Sequence, residues 1–155
     1  KWLGLLSAAP AGCTDSKVVD EQAASESVMS IYNSLMAGTN LIHDVGCLDG
    51  GLTGSLASLV MCDEIIDMVK QIGKGIEVTD ETLALDILKE VGPGGEFLSH
   101  DHTYNHFREW FMPTIIDRSN FEIWKEGGSK TYQDRLGPEG DRILETHPPE
   151  PRDEE

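Results

Sequence analysis

The chain has 155 residues, enough for one domain with a core of its own. Hydrophobic residues make up 39% of it, which suits a globular protein and argues against a disordered one. A formal net charge of -16 and a pI of about 4.5 leave no basic patch for nucleic acid or for an anionic membrane surface.

Residues 2 to 9 read as a buried strand that enters a loop at Pro10–Asp15. Asp20 precedes EQAASESVMSIYNSLMAG, in which Val28, Ile31, Tyr32, Leu35 and Met36 recur at helical spacing. Gly38 is the stop expected for that helix. The short apolar run NLIHDVG, ended by Gly46, reads as a second buried strand. Asp49–Gly54 is a glycine-rich turn. Leu56, Leu59, Val60, Ile65, Ile66, Val69 and Ile72 then define a long, largely buried helix ended by Gly73 and Gly75. Asp80 is read as the cap of TLALDILKEV, which stops at GPGG. The histidine-rich stretch GEFLSHDHTYNHF opens a helix that Pro113 ends. Ser119 and Glu122 have capping-box spacing for a helix to Glu126, and a short helix follows Ser129. HPPEPRDEE reads as a mobile acidic tail.

The pattern is strand, helix, strand, then mostly helix. It is an α/β pattern with too few strands for a complete sheet. The expected division is residues 1–75 as βα units, 76–146 as a helical segment packed on them, and 147–155 as the tail. The opening KWLGLLSAAPAGC is read as a cut point inside a longer protein rather than as an export signal. The three cysteines, Cys13, Cys47 and Cys62, are odd in number and lack CxxC spacing. They disfavour a disulfide scaffold and fit a reducing cytoplasm.

Several residues carry possible chemistry. His102 and His106 are four apart and share a helix face, as zinc ligands on helices do, with Asp101 or a distant carboxylate as a third ligand. The alternative is that the histidines hydrogen-bond around a helix start and pack against Phe107, Trp110 and Phe111. His43 and Asp44 fall at the carboxyl end of the second strand, the edge where open sheets and barrels bind ligands. A satisfied core histidine explains the same position. Cys13 has no neighbouring base in sequence to make it a nucleophile. Asp15 either attracts a cationic ligand or caps a turn. LDGGLTGS lacks the ending of a phosphate loop.

TDSKVVDEQA, GTNLIHDVG, LDGGLTGSLASLVMCDEII and FLSHDHTYNHFREWFMPTIIDRSNFEIWKEGGSK, taken together and in this order, resemble the C-terminal part of the trimethylamine methyltransferase family. The resemblance covers about Gly12 to Arg135. It implies the C-terminal portion of a (β/α)8 TIM barrel, with the earlier strands before Lys1. It further implies transfer of a methyl group from a methylated amine to the Co(I) centre of a corrinoid (cobalamin) carried by a partner protein, none being bound tightly by this chain. A homo-oligomer is expected, and the chain is expected to be inactive alone.

Trimethylamine-specific members use pyrrolysine, and none is written in this sequence. That favours quaternary amines such as glycine betaine. His43, with Asp15 and Asp44, is the expected substrate wall. Cys13, Gly46 and His102 are the candidate contacts to the corrinoid. The resemblance makes the histidine segment structural or partner-facing, and no metal is assigned to it. A non-catalytic module that docks the corrinoid protein is the reading from another class. A small histidine-ligated metal protein is a third.

Overall fold

Asp20 and Gly38 fix the two ends of α1 (Glu21–Ala37). The Asp20 carboxylate accepts the backbone N–H of Ala23 at 2.9 Å, while Gly38 turns left-handed at φ 72° and returns its N–H to the last turn. The helix buries Ala23, Ser27, Ile31 and Ser34 along one stripe. α2 (Leu56–Gly73) answers with Ser58, Met61, Cys62, Ile65 and Val69. Small residues on both stripes let the two helices pack closely.

The computed structural model describes residues 3–148. By contacts the chain forms two units. One combines the chain up to Gly73 with the chain from Pro113 on, and the other is Lys74–Met112.

In the first unit, β1 (Ala8–Pro10) pairs in parallel with β2 (Leu41–His43), and Pro10 stands opposite His43. A two-stranded antiparallel ribbon follows, β3 (Cys47–Leu48) with β4 (Thr53–Gly54), joined by a 3-10 turn at Asp49–Gly51. The strands are where sequence and structure part. A buried strand over 2–9 is expected, yet the observed strand is Ala8–Pro10, with Leu3, Leu5 and Leu6 exposed. β2 also lies open on one side, with Leu41 and His43 exposed. Parallel strands are buried when both faces of their sheet are covered, and the exposure of Leu41 and His43 beside a partly buried Ile42 shows that β2 is covered on one face only.

After Met112 the chain returns to α2. α6 (Phe121–Glu126) is capped by Asn120, whose side chain accepts the Ile123 N–H at 3.0 Å. Ser119, expected as the cap, is instead held by Asp117. α7 (Tyr132–Thr146) is a full helix rather than a short one. Thr131 and Asp134 close a capping box at its start, and it packs Leu136 and Gly140 against α2.

The second unit holds α3 (Asp80–Leu83), α4 (Leu85–Val91) and α5 (Asp101–His106). Thr79, not Asp80, caps α3 through a capping box with Thr82. Ala84 turns left-handed at φ 48° and breaks the expected single helix into two. α5 ends well before Pro113, so the proline is not its terminator. None of residues 74–112 is buried. The acidic tail lies mostly outside the described residues.

Candidate functional site

Beyond the carboxyl ends of β1 and β2 the two chains stay joined. The Ala11 N–H donates to the His43 carbonyl at 3.0 Å, Gly46 to Gly12 at 3.1 Å, Thr14 to Cys47 at 3.1 Å and Gly50 to Thr14 at 3.0 Å. This ladder draws the loop Ala11–Ser16 against the segment Asp44–Gly51. Cys13, Asp15, His43, Asp44 and Gly46 therefore share one edge of the unit, as their strand positions predict.

Two glycines make the close approach possible. Gly12 is buried at φ 76°, and a Cβ there would lie 3.3 Å from both Cys62 Sγ and Val45 Cα. Gly46, at φ 83°, would place a Cβ 3.0 Å from Leu59. Both sites require a left-handed backbone and no side chain. Gly46, one candidate contact to a corrinoid, is thus buried beneath Leu59, which accounts for its lack of a side chain.

The polar groups of this edge have clear partners. His43 Nδ1 lies 3.0 Å from an oxygen of Asp44, and both side chains are about half exposed. Asp44 itself sits left-handed at φ 68°, a conformation that costs a non-glycine residue about 1 kcal/mol or more. His43 is therefore an exposed side chain held beside the Asp44 carboxylate and not a satisfied core histidine. Asp15 is exposed beside the Gly50 turn. Lys17 donates to the Asp15 carbonyl at 2.7 Å and reaches Asp49 at 3.3 Å. Burial, and then the neighbouring Cys47 and Asp44, push the Cys13 thiol above its ordinary value. It stays protonated near neutrality, which argues against a nucleophile there.

Sequence reading missed what holds the loop. Glu26, one turn and a half into α1, accepts the Thr14 hydroxyl at 2.5 Å and the Asp15 N–H at 2.8 Å. Gln22 donates to its other oxygen at 2.8 Å. These hydrogen bonds, the Thr14 hydroxyl first, hold the Glu26 carboxyl below its usual range. Ser30 accepts the Gly12 N–H at 3.0 Å. Nothing in the spacing of Glu26 and Ser30 sets them apart from other polar residues of an amphipathic helix, so the sequence offers no signal for them.

The histidine segment belongs to the other unit. His100 caps α5, its Nδ1 accepting the His102 N–H at 3.1 Å. His102 and His106 share a face as expected, with ring centroids 4.4 Å apart. Glu81, distant in sequence, closes the group: its Oε1 lies 3.0 Å from His106 Nε2 and 3.6 Å from His102 Nε2. The carboxylates of Glu109 and then Glu81, accepting from its ring, raise the His106 pKa above its ordinary value. Of the three aromatics expected to pack with these histidines, Phe107 and Trp110 are exposed and Phe111 is partly buried.

No helix among the described residues is long and apolar enough to cross a membrane. The sequence matches, over residues 1–155, the family described as trimethylamine methyltransferase (MTTB). It is 42% identical over 140 residues to the trimethylamine methyltransferase MttB of Desulfitobacterium hafniense, covering 90% of this chain and 28% of that protein. It is 36% identical to the glycine betaine methyltransferase of another Desulfitobacterium hafniense strain, over 86% of this chain and 28% of that one. To the MttB of Methanosarcina barkeri it is 33% identical over 99% of this chain and 31% of that one. The chain thus spans less than a third of the length of these curated relatives.

Proposed function

From the premise that the chain belongs to the trimethylamine methyltransferase family, we propose that the protein containing it moves a methyl group from a methylated amine to the Co(I) centre of a separate corrinoid protein. The amine is a quaternary one such as glycine betaine, or trimethylamine. The family match along the whole chain carries this reading. The parallel β1–β2 pair supports it, since its carboxyl ends gather Asp15, His43 and Asp44 at one edge. Such a pair suits the last units of a (β/α)8 barrel, in which ligands bind at that edge.

A corrinoid held by a partner supplies the nucleophile. This chain's residues orient the amine and keep water away from it. A quaternary ammonium offers no N–H and no lone pair, so it is held by carboxylates and aromatic faces. Asp15 and Asp44 supply exposed carboxylates at the edge. Their charge fits a cation. His43, held by Asp44, is placed to orient the substrate or its carboxylate. Cys13 is half-exposed there and is the side chain available for contact with the corrinoid, while Gly46 shapes the loop from below.

The test uses a protein of the relatives' full length that contains this chain. It is mixed with a Co(I) corrinoid protein, and the cobalt absorbance is followed on adding glycine betaine or trimethylamine. Methylation with glycine betaine alone supports the quaternary-amine reading. Methylation with trimethylamine alone replaces it with the tertiary amine. No change with either, or with other betaines, removes the proposed activity.

A further inference from the structure

We propose that Glu81, His102 and His106 bind a first-row divalent cation, Zn2+ first among them, which staples residues 74–112 together. One ligand atom from each of the three residues falls within 4.8 Å of the others. A tetrahedral site with metal–ligand bonds near 2.0–2.1 Å sets its ligand atoms roughly 3.4 Å apart. The two separations from Glu81 Oε1, 3.0 and 3.6 Å, lie on either side of that value. The third separation, between the two imidazole nitrogens, is within 4.8 Å, so a cation can enter once the two rings turn toward each other. The two imidazoles come from successive turns of one helix face and the carboxylate from α3.

The surroundings fit a metal centre. His106 turns its other ring nitrogen to Glu109, 3.0 Å away. A carboxylate behind a ligating histidine fixes the tautomer and makes the ring a better donor. His102 Nε2 also lies 3.2 Å from the Glu81 carbonyl oxygen, so a proton on this nitrogen bonds there, and a cation takes its place by releasing it. Two imidazoles and one carboxylate suit zinc and its neighbours rather than calcium or magnesium. A fourth position stays open for water.

Lys74–Met112 forms a unit of about 40 residues in which α3 and α5 are brought together by Glu81, His102 and His106. It contains no cysteine. A cation bridging Glu81 to His102 and His106 would close a loop of some 20 residues between α3 and α5.

The site is tested on the full-length protein, freed of metal by a chelator and titrated with Zn2+ against a chromophoric competitor. One equivalent should bind per chain. His102→Ala and His106→Ala should weaken binding by more than about 100-fold, and Glu109→Gln by about 10- to 100-fold. Glu81→Gln preserves size and hydrogen bonding and should weaken it as the histidine variants do, which separates lost ligation from lost folding. Co2+ in place of Zn2+ should give a visible absorption band that the Glu81→Gln protein lacks. Hydrogen exchange across residues 74–112 should slow on adding Zn2+ to the parent only. Binding well below one equivalent, or affinity unchanged in the His102 and Glu81 variants, would overturn the site. Unchanged exchange with full binding would overturn the staple.

Discussion

The phenol of Tyr132 donates to Glu64 Oε2 at 3.2 Å, joining α7 to the middle of α2. Glu64 is buried, and it also accepts the backbone N–H groups of Thr114, Ile115 and Ile116. One carboxylate thus captures the chain as it returns after Met112. Arg135 reinforces the capture by donating to the Ile115 carbonyl at 2.7 Å.

Glu64→Ala should destabilise the protein by roughly 3–5 kcal/mol, because three backbone donors lose their partner away from water. Glu64→Gln, which keeps one acceptor oxygen, should cost about half as much. Urea denaturation measures both. Equal and negligible losses would show that solvent replaces the carboxylate.

Tyr132 also carries an alkaline limit. Burial, then the Glu64 charge, raise its pKa well above the ordinary 10.0. The folded state favours the protonated phenol, so its contribution is full below pH 10.0 and is lost as the pH rises towards the folded value. Stability should fall as the pH rises above about 10, and Tyr132→Phe should flatten that fall. An unchanged slope in the variant would assign the loss to other groups.

Acid should act on the loop that follows β1. The lowered pKa of Glu26 means that its contribution is present above 4.5 and is lost as the pH falls through the folded value. Protection of the Asp15 amide, its exchange taken relative to the intrinsic rate, should fall as the pH drops below 4.5. In Glu26→Gln the exchange should be raised already at neutral pH and should depend less on acid. Equal profiles in the two proteins would free the loop from Glu26.

Gly46→Ala should cost roughly 2–4 kcal/mol, the sum of a left-handed backbone and a clash with Leu59. Gly50→Ala shares the left-handed backbone at φ 62°, but its Cβ meets only Asp15 Oδ1 at 3.6 Å. It should cost about 1–2 kcal/mol. Thermal melts of the two variants separate conformational strain from steric overlap.

His43→Ala, in the full-length protein, should lower kcat/KM for methyl transfer by about 10- to 100-fold with little loss of stability, since His43 is exposed. Asp44→Asn should fall in the same direction through loss of the carboxylate that holds His43. Full activity in His43→Ala would remove this residue from the substrate wall.

The sequence by itself determined where the long helices lie. α1 and α2 have apolar stripes at helical spacing, and Asp20 and Gly38 declare the ends of the first. Such signals are local, because capping and periodicity act over one or two turns. The edge shared by Asp15, His43 and Asp44 was legible for the same reason: parallel strands carry their loops to one end. Shorter elements were misread at their ends. Thr79 and Asn120 displaced Asp80 and Ser119 as caps, since adjacent polar residues compete and only the backbone geometry selects one. Tertiary structure alone decided the rest. Glu26 reaches back across 12 residues to Thr14, Glu64 reaches forward across 50 to Thr114, and Glu81 meets His106 across 25. Each is one acidic residue among 28, with nothing in its neighbours to mark it. A carboxylate takes its role from the donors that the folded chain brings to it, and those donors are far away in sequence.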